Sequence, residues 1–200
     1  MNTAAAPHPV VVPTVGAELP RLSHLLAAAF ATDPVSDWLF DGEQDARHPA
    51  FFRAFLELAG RAGRVEQTFD GTGVAVWIDN TGTHDIAAWE HFEARLRDAV
   101  AGHERRWEAL DTAMRAAHPT GPHWWLAFIG VLPGHGRRGR GGELLRHAAT
   151  WVGDREAYLE ATSRRLVAFY RRHGYRAVGQ IAVAQGPRLY PMCRPGDGRP

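Results

Sequence analysis

The segment Val131 to Leu145, VLPGHGRRGRGGELL, is where residue types and spacing first suggest chemistry. A dense apolar run enters it, glycines fill it, and a helix-forming stretch leaves it. Glycines let the backbone turn tightly with its amides pointing inward. A helix starting there adds unpaired N–H groups at the positive end of its dipole. A turn of this kind holds a diphosphate-like anion. Arg137, Arg138 and Arg140 bring positive charge to the same place. Two other readings fit a glycine loop after a strand. One is an ordinary tight turn. The other is a dinucleotide-binding unit, which wants the loop in the first strand–helix turn and an acidic residue closing the second strand. Glu160 meets that spacing, but the loop comes late, after a long helical region.

Composition narrows the chemistry further. All 23 basic residues are arginine, so every mechanism that needs a lysine amine is excluded, including Schiff-base chemistry and Walker-type phosphate loops. Cys193 is the only cysteine, so neither an intrachain disulfide nor a multi-cysteine zinc site can form. There are 11 histidines, but none shows ligand spacing beside acidic partners, and no metal is expected. His118 and His123 flank the central apolar run, and either could serve as a base. Charge nearly cancels at +1, and no arginine stripe with interleaved aromatics occurs, so nucleic acid is not an expected partner. No apolar run is long enough to span a membrane, and the start MNTAAAPHPV lacks the features of a secretory signal. A cytoplasmic location is the expectation.

The elements that must position these groups can be read from periodicity. Val10 to Val12 reads as a short edge strand between prolines, Glu18 to Phe30 and Pro49 to Ala62 as helices, and Thr32-Asp33-Pro34 as the stop of the first. Asp33, Asp37 and Trp38 then fall in the loop between the two helices. Alternation around Asp70-Gly71-Thr72-Gly73 predicts a hairpin. His84 to Ala117 is helical with a break near Gly102, and its stripe of Trp89, Phe92, Leu96, Val100, Trp107, Leu110 and Met114 reads as core or groove lining. The second half alternates: strand Trp124 to Val131, helix Glu143 to Val152, strand Ala157 to Ala161, helix Ser163 to His173, then strands Val178 to Val183 and Arg188 to Cys193. That order predicts an α/β layer with some parallel strands and a closing antiparallel pair. The expected organisation is a tail over residues 1–9, one domain over 10–194 and a second tail over 195–200.

The loop hexad Gly136-Arg137-Arg138-Gly139-Arg140-Gly141 resembles the Q/R-x-x-G-x-G/A signature of the GCN5-related N-acetyltransferase (GNAT) family, with Gly136 standing where Gln or Arg is usual. Tyr158-Leu159-Glu160 and Phe169-Tyr170-Arg171-Arg172-His173-Gly174-Tyr175 are similar to segments of its antibiotic-acetylating branch, with Leu166 where relatives often carry asparagine. The resemblance implies an α/β (α+β) GNAT fold, a mixed central sheet of about six to seven strands flanked by helices, that binds acetyl-CoA or another acyl-CoA as co-substrate. It places the pyrophosphate on Gly136, Arg137, Arg138, Gly139, Arg140, Gly141 and Gly142, and the pantetheine along Ile129 and Val131. Tyr170 would donate to the leaving thiolate, and Glu160 would accept the amine's proton or hold the ammonium. A backbone N–H between Ala127 and Val131 would polarise the carbonyl. Asp33, Asp37, Trp38, Trp89, Trp125 and Glu160 would line the acceptor pocket.

The expected activity is therefore N-acyl transfer to the amine of a small molecule, an antibiotic or natural-product intermediate by resemblance. The region from Ala31 to Ala117 would shape a sizeable, partly apolar or aromatic pocket for it. Two alternatives stay open. The donor could be a thioester on an acyl-carrier protein, docked by the arginine-rich loop, or the chain could be a non-catalytic acyl-CoA-binding member. A monomer and a homodimer are both compatible with the sequence.

Overall fold

The described residues are 11–13, 16–43, 45–82, 85–136 and 138–196 of a computed structural model. The first half comprises β1 (Val11–Pro13), a 3-10 turn (Gly16–Glu18), α1 (Leu19–Ala29), α2 (Pro34–Leu39), α3 (Arg47–Ala62), β2 (Gly63–Thr68) and β3 (Gly73–Asn80). Two helices, α4 (Ile86–Ala99) and α5 (Glu104–Ala117), lead to β4 (His123–Val131). Then come α6 (Arg140–Val152), β5 (Glu156–Ala161), α7 (Arg164–Arg171), β6 (Arg176–Ala177), β7 (Ile181–Ala182) and β8 (Arg188–Arg194). The mixed sheet runs β1-β2-β3-β4-β5-β8-β6, with β7 also on β8. Every pairing is antiparallel except β4 with β5.

Helices cover both faces, so the central strands are buried on both sides. Along β3 the period of two sends Val74, Val76 and Ile78 into a core shared with α1, α3, α4 and α5. Ala75 and Trp77 point the other way, into a second core with Leu144, Leu145, Ala148 and Val152 of α6.

Three departures from the sequence reading bear on the site. The stretch after Asp33 is a short helix, α2, rather than loop. Asp33 caps it, its carboxylate accepting from the N–H groups of Val35 at 2.9 Å and Ser36 at 3.3 Å. Helix α6 begins at Arg140, directly after Gly139, rather than at Glu143, because its first backbone bond runs from Glu143 N–H to Gly139 O. Of the strand expected over Val178 to Val183 only β7 forms, while β6 precedes it; Val178 N–H reaches Pro191 O at 2.9 Å between the two, and both pair with β8. The expected tail 1–9, Val10 and His84 lie outside the described residues, as do 197–200.

Candidate active site

The site grows from one irregularity in the sheet. Strands β4 and β5 pair in parallel only from His123↔Glu156 to Trp125↔Tyr158, although both continue past that point. Beyond it they diverge, and a cleft of about 1830 Å³ opens between them. On its other side β4 carries an extra residue: Val76 pairs Phe128 while Trp77 pairs Leu126, leaving Ala127 as a bulge. Bulges re-aim backbone groups and are common beside active sites. The β5-facing edge of Leu126 to Val131 is thus not used by β5, and Ile129 and Val131 line the cleft there.

At the far end of β4 the chain turns through the glycine loop into α6. Gly139 is the N-cap, with φ of +83°, a conformation that costs other residues roughly 1–2 kcal/mol. Its side chain offers no cap, and the amides of Arg140, Gly141 and Gly142 precede the first helical bond. Their partner can be an anion drawn to the positive helix end. Gly141 and Gly142 let the chain lie close to α7 and its C-terminal turn: a Cβ on Gly141 would stand 3.3 Å from Phe169 Cζ, and one on Gly142 3.2 Å from His173 Cε1. Gly136 has open space around it, so nothing local demands glycine there.

The arginines divide. Arg138 is exposed at the loop. Arg140 is committed to the protein, its guanidinium 2.7 Å from Asp70 in the β2–β3 turn and 2.9 Å from Glu143. What Arg140 offers an anion is its amide. Arg137 lies outside the described residues.

Tyr170 lies on α7, which Ser163 caps by accepting from Leu166 N–H at 3.4 Å. Its ring is buried, packed against Phe169 and Tyr175, and it lines the cleft. Burial first, then Tyr175 and Asp33, hold its hydroxyl far above the usual phenol range, so it stays protonated across physiological pH. Such a phenol is a dependable hydrogen-bond donor. Complete proton loss to a thiolate, whose ordinary value is about 8.5, would be uphill.

Glu160, near the end of β5, lines the same cleft with only 4% of its side chain exposed. One oxygen, Oε2, accepts the Trp125 indole N–H at 2.9 Å; the other, Oε1, is buried with no hydrogen-bond partner. His118 Nδ1 faces Oε1 at 3.6 Å. Asp33 also reaches the cleft, where the Thr162 hydroxyl donates to its Oδ2 and thereby ties the α1–α2 junction to the end of β5. Burial raises its carboxyl above the ordinary value, against the lowering pull of Thr162, Val35 and Ser36.

The acceptor side is apolar and aromatic. Phe55 of α3, Trp89 and Phe92 of α4, Trp107 and Met114 of α5, and Trp125 and Phe128 of β4 all line it. Two residues expected in this pocket are elsewhere. Asp37 is exposed and absent from the lining, and Trp38 turns away, donating its indole N–H to Gln185 O at 2.8 Å. The reason is helical: once α2 forms, Val35, Ser36 and Leu39 face the cleft, and Asp37 and Trp38 fall on the other side. Thr162 and Asn80 also line the cleft, and neither stands out in the sequence, because only long-range folding brings them there. Among the described residues, no group of three or more His, Cys, Asp or Glu could hold a metal, and no helix is long and apolar enough to cross a membrane.

Comparison with known proteins returns one family and one fold. A family model described as the acetyltransferase (GNAT) family matches residues 35–175. Among solved structures, the chain is similar to a Corynebacterium glutamicum protein titled histone acetyltransferase HPA2 and related acetyltransferase. The two are 24% identical, with 95% of this chain and 97% of that one covered, at a TM-score of 0.68. It is also similar to the Drosophila melanogaster polyamine N-acetyltransferase, at 17% identity, 92% and 98% coverage and a TM-score of 0.67. Arylalkylamine N-acetyltransferase 2 from Aedes aegypti gives 12% identity, 92% and 96% coverage and a TM-score of 0.56. At these identities the likeness to solved structures speaks for the fold.

Proposed function

The chain belongs to the GNAT acetyltransferase family, and from that premise we propose that it transfers the acetyl group of acetyl-CoA to the amine of a small molecule with an apolar or aromatic body. The observation that carries this reading is the divergence of β4 from β5 directly beside the uncapped start of α6, with Glu160 and Tyr170 lining the same cleft. The loop amides from Gly136 to Gly142 hold the pyrophosphate. The open edge of β4, past the Ala127 bulge, holds the pantetheine and offers an N–H to the thioester carbonyl as negative charge develops on it. The thioester supplies an activated acyl carbon.

This chain's residues do the rest. Glu160 accepts the proton of the incoming ammonium, leaving the nitrogen lone pair free to attack. The C–N bond forms as the C–S bond breaks, and the Tyr170 hydroxyl donates a hydrogen bond to the sulfur as thiolate charge appears. Because that phenol holds its proton tightly, stabilising the thiolate is its main contribution, with the thiol's proton drawn from the acylated nitrogen. Asp33 fixes the α1–α2 junction against Thr162 and adds a second carboxylate on the acceptor side.

The acceptor's shape follows from α4 and α5. Asn80 at the end of β3 pairs directly with His123 at the start of β4, so a short turn could join them, yet residues 81–122 intervene. Their apolar stripe roofs the cleft. An amine on an aromatic or alkyl body, of the size of an antibiotic or natural-product intermediate, gains from burying against it. The polyamine and arylalkylamine acetyltransferases among the structural neighbours support an amine acceptor. The test is thiol release from acetyl-CoA with tryptamine, phenethylamine, agmatine and spermidine. Turnover led by the aryl amines is expected. Turnover confined to spermidine and agmatine would contradict the apolar acceptor, and no thiol release with any amine would contradict the activity.

A further inference from the structure

The C-terminal end of α5 delivers His118 to the one oxygen of Glu160 that has no hydrogen bond, and the protons of the two neighbouring histidines are constrained in a way that fixes what His118 can do there. His123 is 2% exposed, and its Nδ1 lies 2.7 Å from the Gly121 carbonyl, a contact that requires Nδ1 to carry hydrogen and donate. Burial lowers its proton affinity, which keeps the ring neutral and leaves Nε2 as a lone pair. His118 Nε2 lies 2.9 Å from that lone pair, so the hydrogen between the rings belongs to His118. The Asn80 side-chain nitrogen lies 3.2 Å from His123 Nε2 and 3.3 Å from His118 Nε2, and with the shorter ring-to-ring hydrogen carried by His118 it donates to His123 Nε2. A neutral His118 with hydrogen on Nε2 must then present a bare Nδ1 to Glu160 Oε1, 3.6 Å away. Two acceptors then face each other across that gap, and one proton placed between them would join both.

We propose that His118 is a positioning partner of Glu160 that takes over the proton Glu160 removes from the acceptor amine, with His123 and the Gly121 carbonyl fixing its tautomer. This rests on the role given to Glu160 above. The balance is simple: the ammonium N–H breaks as Oε1–H forms, Oε1–H breaks as Nδ1–H forms, and His118, whose side chain is 22% exposed, returns that proton to water in the cleft. Glu160 is thereby reset as a carboxylate for the next turnover. The separation exceeds a hydrogen bond, as is common for catalytic contacts that tighten only in the substrate complex. The surrounding groups are compatible with the transfer. On β5 these are Glu156 and Tyr158, whose ring lies 4.7 Å from that of His118 and whose hydroxyl faces both the Glu160 carboxylate and the Ala117 carbonyl as a donor. On β4 they are His123 and Trp125. On α5, Arg115 is paired with Asp111 at 2.7 Å.

The test has two readouts. Nitrogen-15 spectra of histidine-labelled protein at pH 8 should show neutral His118 with its proton on Nε2 and neutral His123 with its proton on Nδ1, assigned with His118→Gln and His123→Asn. A neutral His118 protonated on Nδ1 overturns the proposal whatever the enzyme's substrate. In acetyl transfer to tryptamine, His118→Ala should lower kcat by about 100-fold while KM for acetyl-CoA stays within about threefold, and added imidazole should restore part of the loss. Full activity in His118→Ala, or an equal loss that imidazole does not touch in a protein shown to be folded by its acetyl-CoA binding, overturns it. Glu160→Gln separates the two readings: if that variant keeps full activity, the role of Glu160 itself fails, while the tautomer result stands independently.

Discussion

At the residue scale the proposed reaction uses a phenol and a carboxylate that line one cleft. Tyr170 is buried, and its hydroxyl, held far above the usual phenol range, is a donor across physiological pH. Glu160 keeps one oxygen on the Trp125 indole and one unpartnered, so its orientation is set while an acceptor site stays available. Tyr170→Phe should therefore lower kcat by about 100-fold and change the dissociation constant for acetyl-CoA by less than about threefold, as measured by steady-state kinetics and calorimetry. Comparable losses in both would mean that the hydroxyl serves binding rather than thiolate stabilisation. The segments that bring Tyr170 and Glu160 to the cleft were legible in the sequence. The partnership of Glu160 with His118 was not, because 42 positions separate them and only the return of β5 alongside β4 brings them together.

At the element scale, the proposed donor site is the uncapped start of α6, and α2 lines the other side of the cleft. Gly139 combines a left-handed backbone with the N-cap position of α6, so Gly139→Ala should cost roughly 1–2 kcal/mol of stability and weaken acetyl-CoA binding, with little change in kcat at saturating donor. Thermal unfolding with and without acetyl-CoA measures both; an unchanged affinity would detach the loop from the donor. This loop could be read from sequence because strand, glycines and helix follow one another locally. Helix α2 could not: six residues opened by Asp33-Pro34 look like a helix stop, and only the capping bonds of Asp33 turn that stop into a start. Asp37 and Trp38 were misplaced for the same reason, since in a loop they could face any direction and in a helix they face away. The strand expected over Val178 to Val183 shortens to β7 for a related reason, its apolar residues suggesting a continuous strand where Gly179 and Gln180 stand outside the ladder.

At the scale of the whole molecule, two cores grip one sheet, and the cleft lies where the sheet parts between them. Several histidines are wholly or partly buried. His48 is 3% exposed between the rings of Phe40 and Phe52, and burial lowers its proton affinity, as it does for His123 and His173. Each of these bases has a folded-state pKa below its unfolded value of about 6.5, so the unfolded chain takes up the proton first as pH falls. Stability should therefore be fully present above that value and decline as pH drops through it. Melting temperatures between pH 7.5 and 5.5 should fall, and His48→Phe, which removes one such base, should flatten the decline. A flat profile in the parent protein would show that these rings are hydrated in solution.

The claim on which the account turns is that the amides between Gly136 and Gly142 clasp paired phosphoryl groups. Calorimetric titration with acetyl-CoA beside S-acetylpantetheine, which keeps the thioester arm but lacks the pyrophosphate, tests it most directly. Two lost charge-assisted hydrogen bonds at about 1.5–3 kcal/mol each should weaken the shorter thioester by about 100-fold or more. Equal affinity for the two ligands would contradict the claim.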